Sequence, residues 1–300
     1  MGKINLKSKN LLITVLTVII FIIFSAVFIS KSYIYQEKNY IVNRLNREGK
    51  LQNFNSKISL GHLKIIAHRG ISKDEPENTI TAIRSSIKYP VDYAEIDVQL
   101  TKDGVVVLMH DRNLRRLTGI NTTVDRLTYD QLQTLRIREP FKAHYKAERI
   151  PTLQEVMKLT NNRRKLMIEI KDYHNTEELT TKVVNMIEQN NFVNQCMVQS
   201  TSYSVLKQVK EENPKIITGY IASRRYERLP TVDVDFYSLN EKSVTENLVK
   251  NIHAMNKNVY VWTVNDVINM DKMIGLNVDG IITDKSTILL DIKKAKIRSI

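Results

Sequence analysis

His68, His110, Arg69 and the carboxylates Glu77, Glu95, Asp97 and Asp111 all fall within residues 63–111, most of them where an apolar run ends. Ile65-Ile66-Ala67 runs into His68-Arg69-Gly70, and residues 105–109 run into His110-Asp111. A histidine titrates near working pH, so two of them at strand ends can serve as general base and general acid. Glu95 and Asp97 are two apart in an apolar run, and alternate residues of a strand share a face. Glu169 and Lys171 repeat that spacing in Met167-Ile168-Glu169-Ile170-Lys171. Three carboxylates at one barrel mouth repel unless positive charge sits among them. An all-oxygen set suits a hard divalent ion, Ca²⁺ or Mg²⁺, rather than zinc. Arg69 and Lys171 could instead balance the carboxylates alone, and spacing does not choose between the two. In either case Arg69, by its fork, and Lys171, as a point charge, suit a phosphate.

The elements that must position these groups follow from the hydrophobic period. Strands are predicted at residues 63–67, 93–98 and 105–109, with Lys102-Asp103-Gly104 as a turn and a helix over 78–87 capped by residues 77–79. Residues 112–151 show no clean period beyond a short helix near 129–135. Helix 152–159 is followed by strand 165–170, helix 176–189, strand 196–199, helix 203–212 and strands 216–221 and 235–239. Helix 244–255, strand 259–264, helix 266–274 and strand 280–283 complete the series. Alternating strands and helices over this length predict an α/β protein, a (β/α)₈ TIM-type barrel with a small insertion. Nine strand candidates compete for eight places, and the surplus one is expected in the hairpin-like region 95–111. Active sites of parallel barrels lie at the carboxyl ends of their strands, where the polar residues fall here.

The 300-residue chain has 42% hydrophobic and 26% charged residues, an ordinary globular balance. Residues 11–29 depart from it: apart from Thr14, Thr17 and Ser25 they are apolar, and none is charged. That is close to the ~20 residues needed to span a bilayer as a helix. Lys3, Lys7 and Lys9 precede the run and no acidic residue occurs before Glu37, which predicts a cytoplasmic N-terminus and an extracellular remainder. A cleaved signal peptide fits less well, because the run is long and Phe28-Ile29-Ser30 offers no small-x-small site. The expected organisation is a cytoplasmic segment 1–9, one transmembrane helix 10–30, a polar stalk 31–60 and a catalytic barrel 61–295 with its insertion at 112–150. Without the three early lysines the chain keeps 42 basic against 32 acidic residues, a surface drawn to anionic material. Those basic residues are dispersed and not interleaved with aromatics, which argues against nucleic acid as a partner. Cys196 is the only cysteine, so no intrachain disulfide supports the fold.

Taken together, residues 63–291 resemble the glycerophosphodiester phosphodiesterase family of PLC-like phosphodiesterase barrels. The resemblance rests on an ordered set: His68-Arg69-Gly70, Pro76-Glu77-Asn78-Thr79, Glu95-Ile96-Asp97, His110-Asp111, Ile150-Pro151-Thr152-Leu153, Glu169-Ile170-Lys171, residues 261–265 (VWTVN) and residues 279–284 (DGIITD). It implies that Glu95, Asp97 and Glu169 are metal ligands and that His68 and His110 are the acid/base pair. It also implies that Arg69 and Lys171 bind phosphate, that Glu77 and Asn78 line the metal and glycerol region, and that Trp262 packs beside the glycerol unless it is simply a buried barrel residue. Asp284 is read as structural. The insertion is expected over the mouth. Gln199-Ser200-Thr201-Ser202 departs from the family, whose members carry a phenylalanine after the serine, and this bears on the leaving group.

The expected activity is metal-dependent hydrolysis of a glycerophosphodiester to glycerol 3-phosphate and an alcohol, at the outer face of the membrane. Lysolipid hydrolysis of the lysophospholipase D kind, or cleavage of a glycerophosphate cell-wall polymer, is the alternative within enzymes. A non-catalytic module binding anionic polymer is the alternative outside them, but it would be expected to lack one of the histidines or carboxylates. Membrane lipids are expected partners through the N-terminal helix, and no protein partner is predicted.

Overall fold

Apolar runs ending in charge or in turn residues become the strands of one closed sheet. The computed structural model describes residues 60–72, 75–137, 148–223 and 229–298. The strands are β1 (Lys64–Ala67), β2 (Tyr93–Leu100), β3 (Val106–Leu108), β4 (Lys165–Ile170), β5 (Cys196–Ser200), β6 (Ile217–Ala222), β7 (Phe236–Asn240), β8 (Asn258–Trp262) and β9 (Gly280–Thr283). All but β3 are parallel. They neighbour one another in the order β1, β9, β8, β7, β6, β5, β4, β2, and β2 pairs back to β1 to close the barrel.

The surplus strand is β3, in the region where the sequence placed it. It runs antiparallel to β2, with Val98 opposite Leu108. Only residues 101–105 join the two, and Gly104 takes the turn at φ 78°. A parallel pairing needs a crossover of a dozen residues or more, so this connection permits only a hairpin.

Because barrel strands face packed side chains inside and helices outside, they are apolar on both faces. Ile66, Met167, Met197, Phe236, Tyr260 and Ile282 fill the interior. On the outer face, α1 (Ile80–Lys88), α4 (Leu153–Thr160) and α5 (Thr176–Gln189) bury Ile83, Val156 and Val183 against Ile96, Ile168 and Val198. Threonines start the first two: the Thr79 side chain accepts from the Ala82 amide, and Thr152 forms a capping box with Glu155. Each such cap contributes about 1 kcal/mol and fixes where a rim loop becomes a helix.

Residues 112–137 and 148–150 form the described part of the insertion. It contains the short helices α2 (Arg115–Thr118) and α3 (Tyr129–Thr134) and a small core of its own, in which Leu114, Leu117, Val124 and Leu132 pack on Val107 and Met109 of the hairpin. The remaining helices are α6 (Tyr203–Glu212), α7 (Glu246–Ala254), α8 (Val267–Gly275) and α9 (Ser286–Arg298), the last a closing helix that the sequence reading did not separate. The expected segments 1–9 and 10–30, and stalk 31–60 up to residue 59, lie outside the described residues. Among the described residues, no helix is long and apolar enough to cross a membrane.

Candidate active site

At the carboxyl end of β1 the chain turns sharply. His68 stays in the ladder, its amide donating to Thr283 O at 3.1 Å, and then Arg69 and Gly70 take φ 55° and φ 80°. The turn needs glycine at the second place, since a Cβ on Gly70 would lie 2.7 Å from the Ala82 carbonyl carbon. It aims the Arg69 amide at Glu95 Oε2, 2.9 Å away. Its guanidinium reaches Glu77 Oε1 at 2.8 Å, and its Nε stands 3.5 Å from Asp97 Oδ2. That Nε is buried and has no hydrogen-bond partner.

Strand register brings the acidic residues together. Asp97 of β2 sits opposite Glu169 of β4, and Glu95 lies two residues before Asp97 on the same face. Oxygens of Glu95, Asp97 and Glu169 all lie within 4.8 Å of one another. The Lys171 ammonium bridges two of them, 2.8 Å from Asp97 Oδ1 and 2.6 Å from Glu169 Oε1. Asn78, in the left-handed region at φ 54°, fixes Asp97 from the other side: its Nδ2 donates to Oδ2 at 2.8 Å and its Oδ1 accepts from the Asp97 amide at 3.2 Å.

These surroundings divide the three carboxyls. Burial, then the charges of Asp97 and Glu169, push Glu95 well above the ordinary carboxylate range. Burial also raises Glu169, with Lys171 opposing and Asp97 adding to the rise. Burial acts on Asp97 too, but Lys171, Arg69 and His110 outweigh it and hold Asp97 far below the usual value. Lys171 is raised: its burial favours the neutral amine, but Asp97 and Glu169 more than offset that.

The two histidines are held alike. His68 Nδ1 lies 2.7 Å from Asp284 Oδ1, and Asp284 is itself fixed by Asn265 Nδ2 at 2.6 Å and Ser72 Oγ at 3.0 Å. His110 Nδ1 lies 2.8 Å from Asp111 Oδ1. A carboxylate only accepts, so in each case Nδ1 carries the proton and Nε2 is left for chemistry. Gln99 clamps the loop after β3, its Nε2 donating to the carbonyls of Met109 and Asp111 at 2.8 and 2.9 Å. Burial lowers the His110 pKa, Lys171 and Arg69 reinforce that, and Asp97 and Asp111 oppose it.

A cavity of about 250 Å³ opens among these groups, with His68, Arg69, His110, Glu169, Lys171 and Trp262 on its wall. Trp262 is partly buried and donates from Nε1 to Ser238 O at 3.1 Å, so it is both a barrel residue and a wall of the cavity. Gln199 in β5 and Thr201 just after it, both in the departing segment, also reach the wall. Glu77 and Asn78 are buried behind it, Glu77 against Arg69 and Arg116 and Asn78 against Asp97.

The expected site residues thus converge from β1, β2, β3, β4 and β8. Asp284, read from the sequence as structural, has a definite place here: it holds the His68 ring. Its signal was present in the sequence, as a carboxylate ending the apolar run 280–283, but only the ring closure puts β9 beside β1. Asn265 and Arg116 were also missed, since each acts through another side chain.

The donor set fits a hard cation. Two buried carboxylates and the partly buried Glu169 share two cationic side chains, and Arg69 is also divided with Glu77. Oxygens no more than 4.8 Å apart suit a shell with bond lengths of ~2.3–2.6 Å. A divalent ion would offset the burial and the carboxylate repulsion that raise Glu95.

A parallel barrel with paired histidines, two cationic side chains and clustered carboxylates at the carboxyl ends of its strands defines a barrel phosphodiesterase. The pattern of the Glycerophosphoryl diester phosphodiesterase family matches residues 68–288, and the chain belongs to that family. It is 33% identical over 237 residues to a glycerophosphodiester phosphodiesterase of Caldanaerobacter subterraneus subsp. tengcongensis, covering 76% of this chain and 96% of that one. With a Bacillus altitudinis glycerophosphodiester phosphodiesterase the identity is 32% over 230 residues, covering 74% and 94%. Among solved structures, an Oleispira antarctica phosphodiesterase in complex with the product sn-glycerol-3-phosphate superposes with a TM-score of 0.70 at 26% identity, covering 80% of this chain and 98% of that one. The protein is a glycerophosphodiester phosphodiesterase.

Proposed function

We propose that this enzyme depends on a divalent ion, releases glycerol 3-phosphate and an alcohol, and works on the outer face of a membrane that residues 10–30 anchor it to. The observation that carries the chemistry is the pair of imidazoles, each with Nδ1 on its own carboxylate, opening onto one cavity beside Arg69 and Lys171. One Nε2 takes the proton of the attacking hydroxyl, from water or from the adjacent glycerol hydroxyl. The other protonates the leaving oxygen, so the alcohol departs neutral. Arg69 and Lys171, both on the cavity wall, hold the phosphate oxygens. Trp262 supplies a flat apolar wall for the glycerol carbons. Glu95, Asp97 and Glu169 would hold the ion, Ca²⁺ or Mg²⁺, which when bound supplies Lewis-acid polarisation of the phosphoryl group. The arrangement and the product complex of the Oleispira relative support this substrate class.

The test is release of glycerol 3-phosphate from glycerophosphocholine and glycerophosphoglycerol after EDTA treatment, with Ca²⁺ or Mg²⁺ then added back. Release restored by either ion is the expected result. Folded protein releasing nothing from either diester would overturn the reading, and lysolipid and polymer substrates would be tried next. Residues 31–300 form the exported part, with the barrel at 61–295. Protease added to intact cells should therefore remove the barrel, and full protection would refute the orientation.

A further inference from the structure

Arg116 stands in α2, immediately after His110-Asp111, and does not line the cavity. Leu114 and Leu117 on either side of it are buried in the insertion's core, and the Leu114 amide donates to Thr122 O at 2.9 Å, so its backbone is fixed. From there the guanidinium reaches two carboxylates. Nε donates to Asp111 Oδ2 at 2.6 Å, Nη1 to Glu77 Oε2 at 2.8 Å and Nη2 to Glu77 Oε1 at 2.6 Å. Each carboxylate spends another bond on a group that faces the cavity. Asp111 Oδ1 holds His110 Nδ1, and Glu77 Oε1 holds Arg69 Nη1, both at 2.8 Å.

We infer that Arg116 is a positioning residue that straps the acid/base histidine His110 to the phosphate-binding Arg69, so that the insertion sets the distance between proton transfer and phosphate. The inference rests on the roles given to those two residues above.

Two effects follow from the geometry. The bidentate fork onto Glu77 with a third bond to Asp111 fixes two loops, one after β1 and one after β3, in a single frame. The shared positive charge also keeps Asp111 and Glu77 from binding their site partners as undivided ion pairs. Glu77 and Asp111 are both held below the usual carboxylate range. Burial opposes that in each, and Arg116 is the foremost of the groups that outweigh it. Without Arg116, Arg69 would be drawn fully onto Glu77 and away from phosphate, and Asp111 would stabilise a protonated His110. A role in stability alone would look different: Arg116 is 46% exposed, and the buried Glu77 keeps its bond to Arg69 when Arg116 is removed, so the loss in folding should be modest and leave the pH profile unmoved.

The experiment compares the parent enzyme with R116Q and R116K on glycerophosphocholine across pH, alongside thermal melts. R116Q is expected to lose about 10²-fold in kcat/KM, the scale of a small displacement of a reacting group. Its KM should rise, and the limb of its kcat profile that His110 sets should move to higher pH while its melting temperature stays near the parent's. R116K keeps the charge but not the fork, and should recover the position of the limb more fully than kcat/KM. A rate within about twofold of the parent would overturn the inference, as would a loss that merely tracks unfolding with the pH profile unmoved. NMR titration of His110 separates this from failure of the reaction itself. If the parent releases no glycerol 3-phosphate, the function above is wrong. A His110 midpoint unchanged by R116Q would then dispose of the strap as well.

Discussion

The two ends of the barrel use the same residue types for opposite purposes. At the amino ends of the strands, three acidic side chains are spent on backbone amides: Asp92 accepts from Ile65, Asp235 from Thr218 and Asp279 from Val259, at 2.7 to 2.9 Å. Each also meets its own cation or histidine, Lys64, Lys210 and His253 respectively. At the carboxyl ends Glu95, Asp97 and Glu169 crowd one another, and these three, with Lys171 and His110 beside them, shift from their ordinary values. The lower end closes its charges pairwise and contributes stability. The upper end leaves charge unbalanced, and that imbalance is what a cation or a phosphate can complete.

The contrast predicts where substitutions are felt. H110A removes a proton carrier but no packing, so turnover should fall by at least ~10³-fold while the melting temperature barely moves. Substantial residual turnover would take His110 out of the chemistry. The next effect concerns the carboxylates and reads in stability. Because Glu95 is raised in the folded state, folded protein binds more protons than unfolded between the ordinary carboxyl value and the raised one. Stability in EDTA therefore falls as pH climbs through that window. Asp97 is depressed and acts oppositely, its contribution being lost only as pH falls below the ordinary range. A divalent ion at about a hundredfold excess over its Kd should add about 2.7 kcal/mol and flatten the decline. E95Q should raise the melting temperature in EDTA and abolish the ion's effect. Melts indifferent to both ions at every pH would show that Lys171 and Arg69 balance the cluster unaided.

What could be read from the chain follows the same division. The alternation of strands and helices was legible because each element carries its own period, and so was the surplus strand, because too few residues follow β2 for a crossover. His68, His110, Glu95, Asp97, Glu169 and Lys171 were legible because each lies at or near the end of an apolar run. The links between them were not. Asp284 meets His68 across 216 positions and Arg116 meets Glu77 across 39, and no local period encodes either distance. Both depend on ring closure and on the fold of an insertion whose sequence has no clean repeat. Trp262 was ambiguous for a different reason: one side chain can be core at its Nε1 end and cavity wall on its face.

The lower end gives the smaller, sharper tests. D279N should cost about 1.5–3 kcal/mol, since a charge-assisted bond to the Val259 amide and the pairing with His253 go together, and kcat should stay at the parent value. K64A goes one step further down. Its ammonium lies 3.3 Å from Asp92 Oδ1 and is 43% exposed, while Asp92 Oδ2 keeps its bond to the Ile65 amide without it. Removing the lysine leaves no buried group unsatisfied, so the loss should be below about 1 kcal/mol and should shrink further in salt. A larger loss from K64A than from D279N, measured by urea unfolding, would mean that charge rather than backbone bonding holds the lower end. The two ends would then differ in degree and not in kind.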